Sequence, residues 1–393
     1  MKTTLKTIFK FFINFLKTFP SVNDLSINFI STEFSNNQNS FIKDDGTIIN
    51  LIPNYRWSLK KGWLDFRGLF LLNFLKNKSL LNDSEIAFLD NSVNEFTITK
   101  SEDEINKFVT PLIFNKYKDL FFIDENSNIF IKPNTEALLP KVRHYENVYQ
   151  SFVSKSDALK KSFKPGNKIL EVGFESGGFS MLALESFGLD VYGIDNGYSG
   201  IKEVSSYPKE VSAIFHSKAN FVIGDITKRT EFSDNFFDVV SSEAVLEHIF
   251  GLEDAFSEMY RILKPGGLIF HSYDPYFHPG GGHALGILDR PWMHLELNAK
   301  EYERFLIEKR PFEANKAMHW FKFGINRSYS QSQMTLAILN SGFEILFWES
   351  NKINSSLSNK INKHTFKNAI LNYKNISIDD LLSQKHSFIA RKL

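Results

Sequence analysis

The sequence contains no cysteine among its 393 residues. This absence excludes disulfide bonds, a catalytic thiolate and a zinc site with cysteine ligands. An excess of charge of one sign is also missing, because 46 Lys and Arg residues face 45 Asp and Glu residues. A chain with so little net charge exerts no overall attraction on nucleic acid, so we expect no nucleic-acid partner and look for local binding sites instead.

The N-terminal segment lacks the uninterrupted apolar run of about 20 residues that a membrane-spanning helix needs. Lys10 interrupts the run, and lysines recur at helical spacing opposite a broad apolar face. This pattern predicts an amphipathic helix over residues 1–20. We expect the helix to dock on its own protein in the cytoplasm. The alternative is a peripheral contact of residues 1–19 with the inner membrane face.

Residues 21–140 carry few signals of chemistry. Short apolar runs predict strands there, and two of them, LFFID and IFIK, flank the turn-forming ENSN as in a β-hairpin. Since no catalytic spacing occurs in this stretch, we expect an N-terminal accessory region of mixed α and β structure.

From Lys168 onward, apolar runs of strand length alternate with segments of helix length. The runs are KILEVGF, VYGIDN, NFVIGDI, FFDVVSS and GGLIFHSY. Such alternation predicts a Rossmann-like, doubly wound α/β sheet, mostly parallel, with SFIARKL as an antiparallel last strand. We expect one domain over residues 141–393, with a lid insertion at about 275–325 and a polar insertion at about 351–384.

The first of these strands ends in a glycine loop, ILEVGFESGGFS. Gly173, Gly177 and Gly178 allow the backbone to approach a ligand closely. A dinucleotide would place its pyrophosphate on the amides of this turn, where Glu171 and Glu175 would repel it. The loop is therefore better suited to a nucleoside without phosphates.

Acidic residues also close the next two strands. Asp195 lies 18 residues after Gly177, close to the spacing of about 20 residues at which an acid accepts both ribose hydroxyls. Asp225 can accept from an adenine amino group while Ile226 covers the ring. Each acid alone could be a solvated strand end, but three acids closing three successive strands predict one binding site.

The motifs, taken in order, resemble those of the class I S-adenosylmethionine-dependent methyltransferases. The resemblance spans residues 168–270 and rests on EVG with Gly177, Asp195, Gly224-Asp225-Ile226, FSDNFFDVVSSEAVLEHI and ILKPGGLIF. Glu175 departs from the pattern, since the family usually has a glycine there.

The resemblance implies S-adenosyl-L-methionine as the cofactor. The glycine loop, with Glu171, Gly173 and Gly177, would contact its methionine part. The resemblance also assigns Asp195 to the ribose, Asp225 and Ile226 to the adenine, and Ser242 or Glu243 to the rim near the sulfonium.

Histidines concentrate after the fourth and fifth predicted strands, where a methyl acceptor should enter. They are His248, His271, His278, His283 and His294. Histidine can take a proton near neutral pH, so we expect His248 or His283 to be the general base for a hydroxyl acceptor. For each of them, a structural histidine bonded to backbone is the alternative.

The segment PYFHPGGGHALGILDRPWMHL, residues 275–295, predicts a lid or an acceptor wall. It is loosely similar to bacterial methyltransferases that modify surface glycans or nucleotide sugars. The substrate-binding candidates in and before it are His271, Asp274, Asp289, Arg290, Trp292 and His294. A flexible turn at the glycines and a core position for Trp292 are the alternatives. Asp274, His278 and His283 could ligate a metal, but nothing fixes a ligand set, and we predict no metal.

These observations predict an enzyme that O-methylates a sugar or another small hydroxylated acceptor, with surface-glycan biosynthesis as one setting. A nicotinamide-dependent oxidoreductase and a non-catalytic nucleoside-binding scaffold are the alternatives. Glu171 and Glu175, together with the lack of a Tyr-x-x-x-Lys pair after the fourth strand, disfavour the oxidoreductase.

Overall fold

The computed structural model of the protein describes a sheet with helices on both faces and a cap at one edge. The described residues are 40–51, 121–123, 129–131, 135–174, 178–196, 211–281, 290–309, 314–353, 355–358, 361, 363–373 and 375–393.

The central sheet has seven strands among these residues. They are β5 (Lys168–Val172), β6 (Asp190–Asp195), β7 (Asn220–Ile223), β8 (Phe237–Glu243), β9 (Leu263–Tyr273), β10 (Phe343–Lys352) and β11 (Ser383–Lys392). Their spatial order is β10-β11-β9-β8-β5-β6-β7. The pairs among β5 to β9 are parallel, and β11 runs antiparallel to both neighbours. The predicted fold class is thus confirmed.

Helices cover both faces because successive strand residues point to opposite sides. On β5, Ile169 packs against α1 (Thr135–Lys155), α2 (Asp157–Ser162) and α3 (Phe179–Ser186). Its neighbour Leu170 packs against α4 (Leu252–Ile262) and α8 (Gln331–Asn340) on the other face.

The apolar spacing of α4 and the capping residues of α8 explain why these two segments form helices. The apolar residues of α4 recur every three or four positions and are all buried. Ser330 caps α8, accepting from the backbone N–H of Gln333, whose side chain accepts in return from the backbone N–H of Ser330. This reciprocal capping satisfies two donors that a helix start otherwise leaves unpaired.

Two short antiparallel hairpins precede the sheet. The first joins β1 (Ser40–Ile42) to β2 (Ile48–Asn50), and the second joins β3 (Phe121–Ile123) to β4 (Ile129–Ile131). The second confirms the hairpin predicted around ENSN. The amphipathic helix predicted over residues 1–20 lies outside the described residues.

The first hairpin and both insertions share one hydrophobic core, distinct from the two cores of the sheet. The helices of the two insertions are α5 (Met293–Glu296), α6 (Ala299–Lys309), α7 (Ala314–His319), α9 (Ser355–Ser358), α10 (Lys363–Asn372) and α11 (Ile378–Leu382). The core contains Phe41 from the hairpin, Trp292 and Phe305 from the first insertion, and Leu381 from the second. We call the described parts of residues 40–51, 275–326 and 353–382 the cap.

The topology places the cap at the carboxyl-end edge of the parallel strands. The first insertion follows Tyr273, at the end of β9. The second leaves β10 at Lys352 and enters the antiparallel β11 at Ser383, so it begins and ends at that same edge. In open α/β sheets this is the edge at which ligands bind.

The described helices include none that is both long and apolar enough to cross a membrane. Helix α1 continues through residue 140, the boundary predicted between the accessory region and the sheet domain. The division of the chain into domains remains a prediction.

We predict that Leu381→Ala lowers the free energy of unfolding by about 2–5 kcal/mol, the usual loss when a buried leucine is truncated. Leu381 is fully buried in the cap core. The matched control is Leu371→Ala, in the same insertion but 73% exposed, which should change stability by less than about 0.5 kcal/mol. Urea denaturation measures both, and equal losses would contradict the shared core.

Candidate functional site

The loop after β5 begins with a glycine that the fold requires. Gly173 has a φ of +74°, and a Cβ added there would lie 2.5 Å from a methyl carbon of Val245. The backbone N–H of Gly173 donates to the carbonyl of Ile194 on β6, at 2.8 Å. Gly178, also with positive φ, starts α3. Gly173 therefore brings the predicted cofactor loop against the turn after β8; Glu175 and Gly177 lie outside the described residues.

Glu171 lies fully buried at the end of β5. Its Oε1 accepts from the Tyr149 hydroxyl of α1 at 2.8 Å, and its Oε2 accepts from the Ser241 hydroxyl of β8. One carboxylate thus ties a helix and two strands together below the glycine loop. The sequence motifs did not reveal Tyr149, whose one signal is its position on the apolar face of α1 with Val142.

Burial raises the pKa of Glu171 from 4.5 to about 7, although the hydrogen bonds from Ser241 and Tyr149 favour the charged form. Removal from water disfavours the charged carboxylate more than two hydroxyl donors favour it. The charge of this carboxyl group therefore changes near neutral pH.

The two acids predicted to hold the nucleoside lie at the same edge. Asp195 is half-buried at the end of β6, and its carbonyl accepts from the backbone N–H of Gly224. Asp225 is exposed, and its Oδ1 accepts from both the backbone N–H and the hydroxyl of Thr227. Ile226 is buried in the core beside Ile194. Of the two residues predicted to contact the adenine, Asp225 is therefore the exposed one and Ile226 the buried one.

The two residues predicted near the sulfonium point to opposite faces of β8. Ser242 is buried, with its Oγ 2.6 Å from Nδ1 of His271. Glu243 is partly exposed and accepts from Lys385 Nζ at 2.5 Å and from the Ser272 hydroxyl. Glu243, rather than Ser242, therefore lies at the accessible rim.

The turn after β8 carries His248 and contains a strained residue. Ala244 has a φ of +55°, a region that residues with a side chain rarely adopt and that is over-represented at functional sites. A single 3₁₀ turn, Leu246–His248, follows. His248 Nδ1 lies 2.6 Å from the carbonyl oxygen of Gly324. Because a carbonyl only accepts, Nδ1 carries the hydrogen and Nε2 is the basic atom of the neutral ring.

Two of the predicted acceptor residues lie inside the cap core. Trp292 is buried and donates from Nε1 to the carbonyl of Leu381 at 2.9 Å. His294 is buried and donates from Nε2 to the carbonyl of Tyr276 at 2.9 Å, and burial lowers its pKa to about 3. The His294 bond lies within the first insertion, and the Trp292 bond joins the first insertion to the second.

The remaining acceptor candidates are distributed over several environments. Arg290 pairs with Glu296, and burial lowers the pKa of the arginine. His271 is buried within the sheet, and burial lowers its pKa to about 3. Asp274 donates its backbone N–H to Glu247 at 3.2 Å. His283 and Asp289 lie outside the described residues, and the roles of all these residues toward an acceptor remain predictions.

Within the described part of the chain, no three His, Cys, Asp or Glu side chains are arranged to hold a metal ion. Of the three residues considered as ligands, His278 accepts at Nδ1 from the backbone N–H of Gly280, at 3.0 Å.

Known proteins similar to this chain match its sheet region. Residues 170–271 match the family model of a methyltransferase domain. Phosphoethanolamine N-methyltransferase 3 from Arabidopsis thaliana is 35% identical over 136 residues, 33% of this chain and 27% of that protein. Sterol 24-C-methyltransferase from Schizosaccharomyces pombe is 33% identical over 117 residues, 30% of each chain. The chain thus spans less than a third of the length of these curated relatives.

The match covers β5 to most of β9, the parallel strands whose ends carry the predicted cofactor residues. Residues 170–271 thus match a methyltransferase domain and contain the parallel strands of a Rossmann-like sheet. Among solved structures, phosphoethanolamine N-methyltransferase 2 from Haemonchus contortus, in complex with S-adenosyl-L-methionine, is 18% identical. That likeness covers 58% of this chain and 49% of that chain, with a TM-score of 0.35.

The residues of the methyltransferase domain fit S-adenosylmethionine, the cofactor of this family. The missing Cβ of Gly173 lets Val245 pack against the start of the loop and fixes where the loop begins. Asp195 and Asp225 offer carboxylates for hydroxyl and amino donors. Glu171 places a carboxyl group two residues before Gly173, which disfavours a pyrophosphate at the loop, whereas the charge of Glu243 is already paired with Lys385.

We predict that Glu171 makes the stability of the protein depend on pH. Because its pKa is higher in the folded state than the ordinary 4.5, the folded protein keeps this proton longer than the unfolded chain does. Stability should therefore fall as pH rises from about 4.5 to about 7, by on the order of 3 kcal/mol, and stay level above that.

Glu171→Gln should remove this dependence while keeping the side-chain shape. Urea denaturation at pH 5 and pH 7.5 would measure it, with Glu308→Gln, an exposed residue of α6, as the matched control. If the two variants changed with pH by the same amount, the assignment of the titrating group to Glu171 would be wrong.

Proposed function

We propose that the protein is an S-adenosylmethionine-dependent methyltransferase that acts on a small-molecule acceptor. The observation that carries the proposal is the convergence of the Gly173 loop, Asp195, Asp225 and the His248 turn at one edge of a sheet with the class I strand order. The domain match of residues 170–271 supports it independently.

In this proposal each strand end has a separate task. The loop that begins at Gly173 holds the methionine part of the cofactor, Asp195 accepts from the ribose hydroxyls and Asp225 accepts from the adenine amino group. Glu171 supports the loop from below, through its bonds to Tyr149 and Ser241. When bound, S-adenosylmethionine supplies a methyl group activated by its attachment to a sulfonium sulfur.

His248 is the proposed general base. Its Nδ1–H donates to the Gly324 carbonyl, so Nε2 is the atom that takes the acceptor's proton. Methyl transfer to a hydroxyl or to an amine leaves a proton that must be removed, and a positioned base typically contributes 10²–10⁴-fold to the rate. Methyl transfer also requires that the acceptor be aligned with the methyl group and that water be kept out of the site. The cap, at the ligand edge of the sheet, is placed to do both.

For the acceptor we propose a hydroxyl on a sugar or sugar-like small molecule. The support is the need of a hydroxyl for a base, which His248 can supply. The aromatic residues Tyr276, Phe277 and Trp292 lie in the cap core and carry no part of this proposal. The names of the relatives give other acceptor atoms, the nitrogen of phosphoethanolamine and carbon 24 of a sterol. The position of the new methyl group in the product will therefore identify the acceptor atom of this protein.

We predict that Asp195→Ala weakens binding of S-adenosylmethionine by about 1.5–3 kcal/mol, roughly 10- to 150-fold in Kd, because a charged acceptor is lost. The matched control is Asp190→Ala, at the opposite end of the same strand, where Asp190 pairs with Lys168. Calorimetry measures both variants. Unchanged affinity in Asp195→Ala, or tighter binding of NAD than of S-adenosylmethionine, would overturn the cofactor assignment.

We predict that His248→Gln lowers the rate of methyl transfer more than about tenfold and leaves cofactor affinity unchanged, because the cofactor does not need the proton acceptor. His144→Gln, an exposed histidine of α1, is the control. Transfer of a labelled methyl group to candidate sugars and amines, with mass spectrometry of the product, measures the rate and identifies the acceptor atom. A smaller loss in His248→Gln would exclude this base, and a methyl group on nitrogen or carbon would exclude the hydroxyl acceptor.

A further inference from the structure

The first insertion contacts the turn that carries His248 through a short segment after the insertion's last helical element. That element is a π-helical turn, Trp320–Gly324. Besides the bond from the His248 ring to Gly324, two hydrogen bonds run from Asn326 to the turn. The backbone N–H of Asn326 donates to the carbonyl of Glu247 at 2.7 Å, and its Nδ2 donates to the carbonyl of Ile249 at 2.6 Å.

Asn326 is held rigidly enough to position its neighbours. Its side-chain Oδ1 accepts from the backbone N–H of Ser328 at 2.9 Å, and the residue is buried. The preceding Ile325 is fully buried in the cap core, as is nearby Phe321. Both ends of the Asn326 amide are thus bonded, and the backbone leading to it is anchored by apolar packing.

The His248 turn has little internal support of its own. It contains two internal hydrogen bonds, from His248 N–H to the carbonyl of Val245 at 2.8 Å and from Ile249 N–H to the carbonyl of Leu246 at 3.2 Å. A single 3₁₀ turn has poorer hydrogen-bond geometry than an α-helix, and the strained Ala244 precedes it. External bonds on both sides of His248 therefore add to the core packing of Leu246 in holding its backbone in place.

We propose that Asn326 is the positioning residue for His248. By bonding the carbonyls on either side of the histidine, it keeps the ring where Nδ1–H reaches the Gly324 carbonyl and Nε2 remains the basic atom. The proposal deepens the function proposed above and rests on it for its catalytic meaning. It makes the cap part of the machinery that orients the base, in addition to its place over the site.

The tautomer of the His248 ring tests the proposal without any acceptor. Long-range proton–nitrogen NMR of the full-length protein with S-adenosylmethionine would give it, with His248→Gln identifying the signal. In the unchanged protein at pH 8, Nδ1 should carry the hydrogen. A ring protonated at Nε2 instead would overturn the proposal outright, before any Asn326 variant is made.

Asn326→Asp is the decisive variant, because it keeps the side-chain shape and the acceptor for Ser328 but removes the donor to Ile249. We expect a mixture of His248 tautomers, unchanged cofactor affinity and a kcat about tenfold lower for whichever acceptor His248→Gln affects. Ser328→Ala is the matched control. Ser328 is exposed and its bond to Asn326 comes from the backbone, so this variant should keep both the tautomer and the rate.

The outcomes separate this proposal from the proposed function. If His248→Gln keeps full transfer activity while Asn326→Asp changes the tautomer, the positioning is real and the assigned base is wrong. If His248→Gln loses activity while Asn326→Asp changes neither tautomer nor rate, Asn326 does not position the ring.

Discussion

The burial of one carboxylate organises the ligand edge of this protein. Glu171 is removed from water at the end of β5, and an unpartnered carboxylate in that position would destabilise the fold by several kcal/mol. The Tyr149 and Ser241 hydroxyls offset that penalty. Helix α1 and strand β8 must therefore pack against β5 at one fixed position along the strand. The glycine loop starts two residues later, so its position depends on this arrangement.

The second constraint is the close approach of Gly173 to Val245, which joins the cofactor loop to the turn after β8. That turn continues into His248 and is bonded to Asn326 of the cap. A continuous series of contacts thus runs from the buried carboxylate through the loop and the turn to the cap. Because each contact involves backbone or a buried side chain, the parts at this edge cannot shift independently.

The sequence predicted the parts of the site that are local in the chain. The parallel strands and the antiparallel strand β11 were recognisable because their apolar runs are short and separated by helix-length segments. The position of Asp195 and Asp225 at one edge was predictable because strand ends of a parallel sheet meet there, and their roles toward the cofactor stay predictions.

Tyr149, Lys385 and Asn326 were missed, since each reaches the site from a distant part of the chain and belongs to no motif. The contact of Lys385 with Glu243 spans 142 positions, and that of Asn326 with Ile249 spans 77. Hydrophobic periodicity shows that a residue is buried but does not identify its partner.

The cap illustrates the same limit. Trp292 and His294 lie among charged residues and prolines in the sequence, a context that suggested a polar lid open to a sugar. In the structure they are buried, because the second insertion supplies the other half of a core that the first insertion alone could not form. The apolar Met293 and Leu295, buried beside them, were the available sign of a core, but the partner segment is about 60 residues away in the chain.

In the proposed function, the two insertions hold the acceptor and the strand ends of the sheet hold the cofactor. The residues assigned to the cofactor lie on or directly after β5, β6, β7 and β8, strands that contribute no residue to the cap core. The first insertion contacts the methyltransferase domain through Asn326 and Gly324 at the His248 turn, and the strand after the second contacts it through Lys385 at Glu243. Both contacts fall at the end of β8, the side of the site where methyl transfer is proposed. Under the proposed function, a change of cap sequence would therefore alter the acceptor and leave the cofactor residues in place, provided that the bonds to the end of β8 are kept.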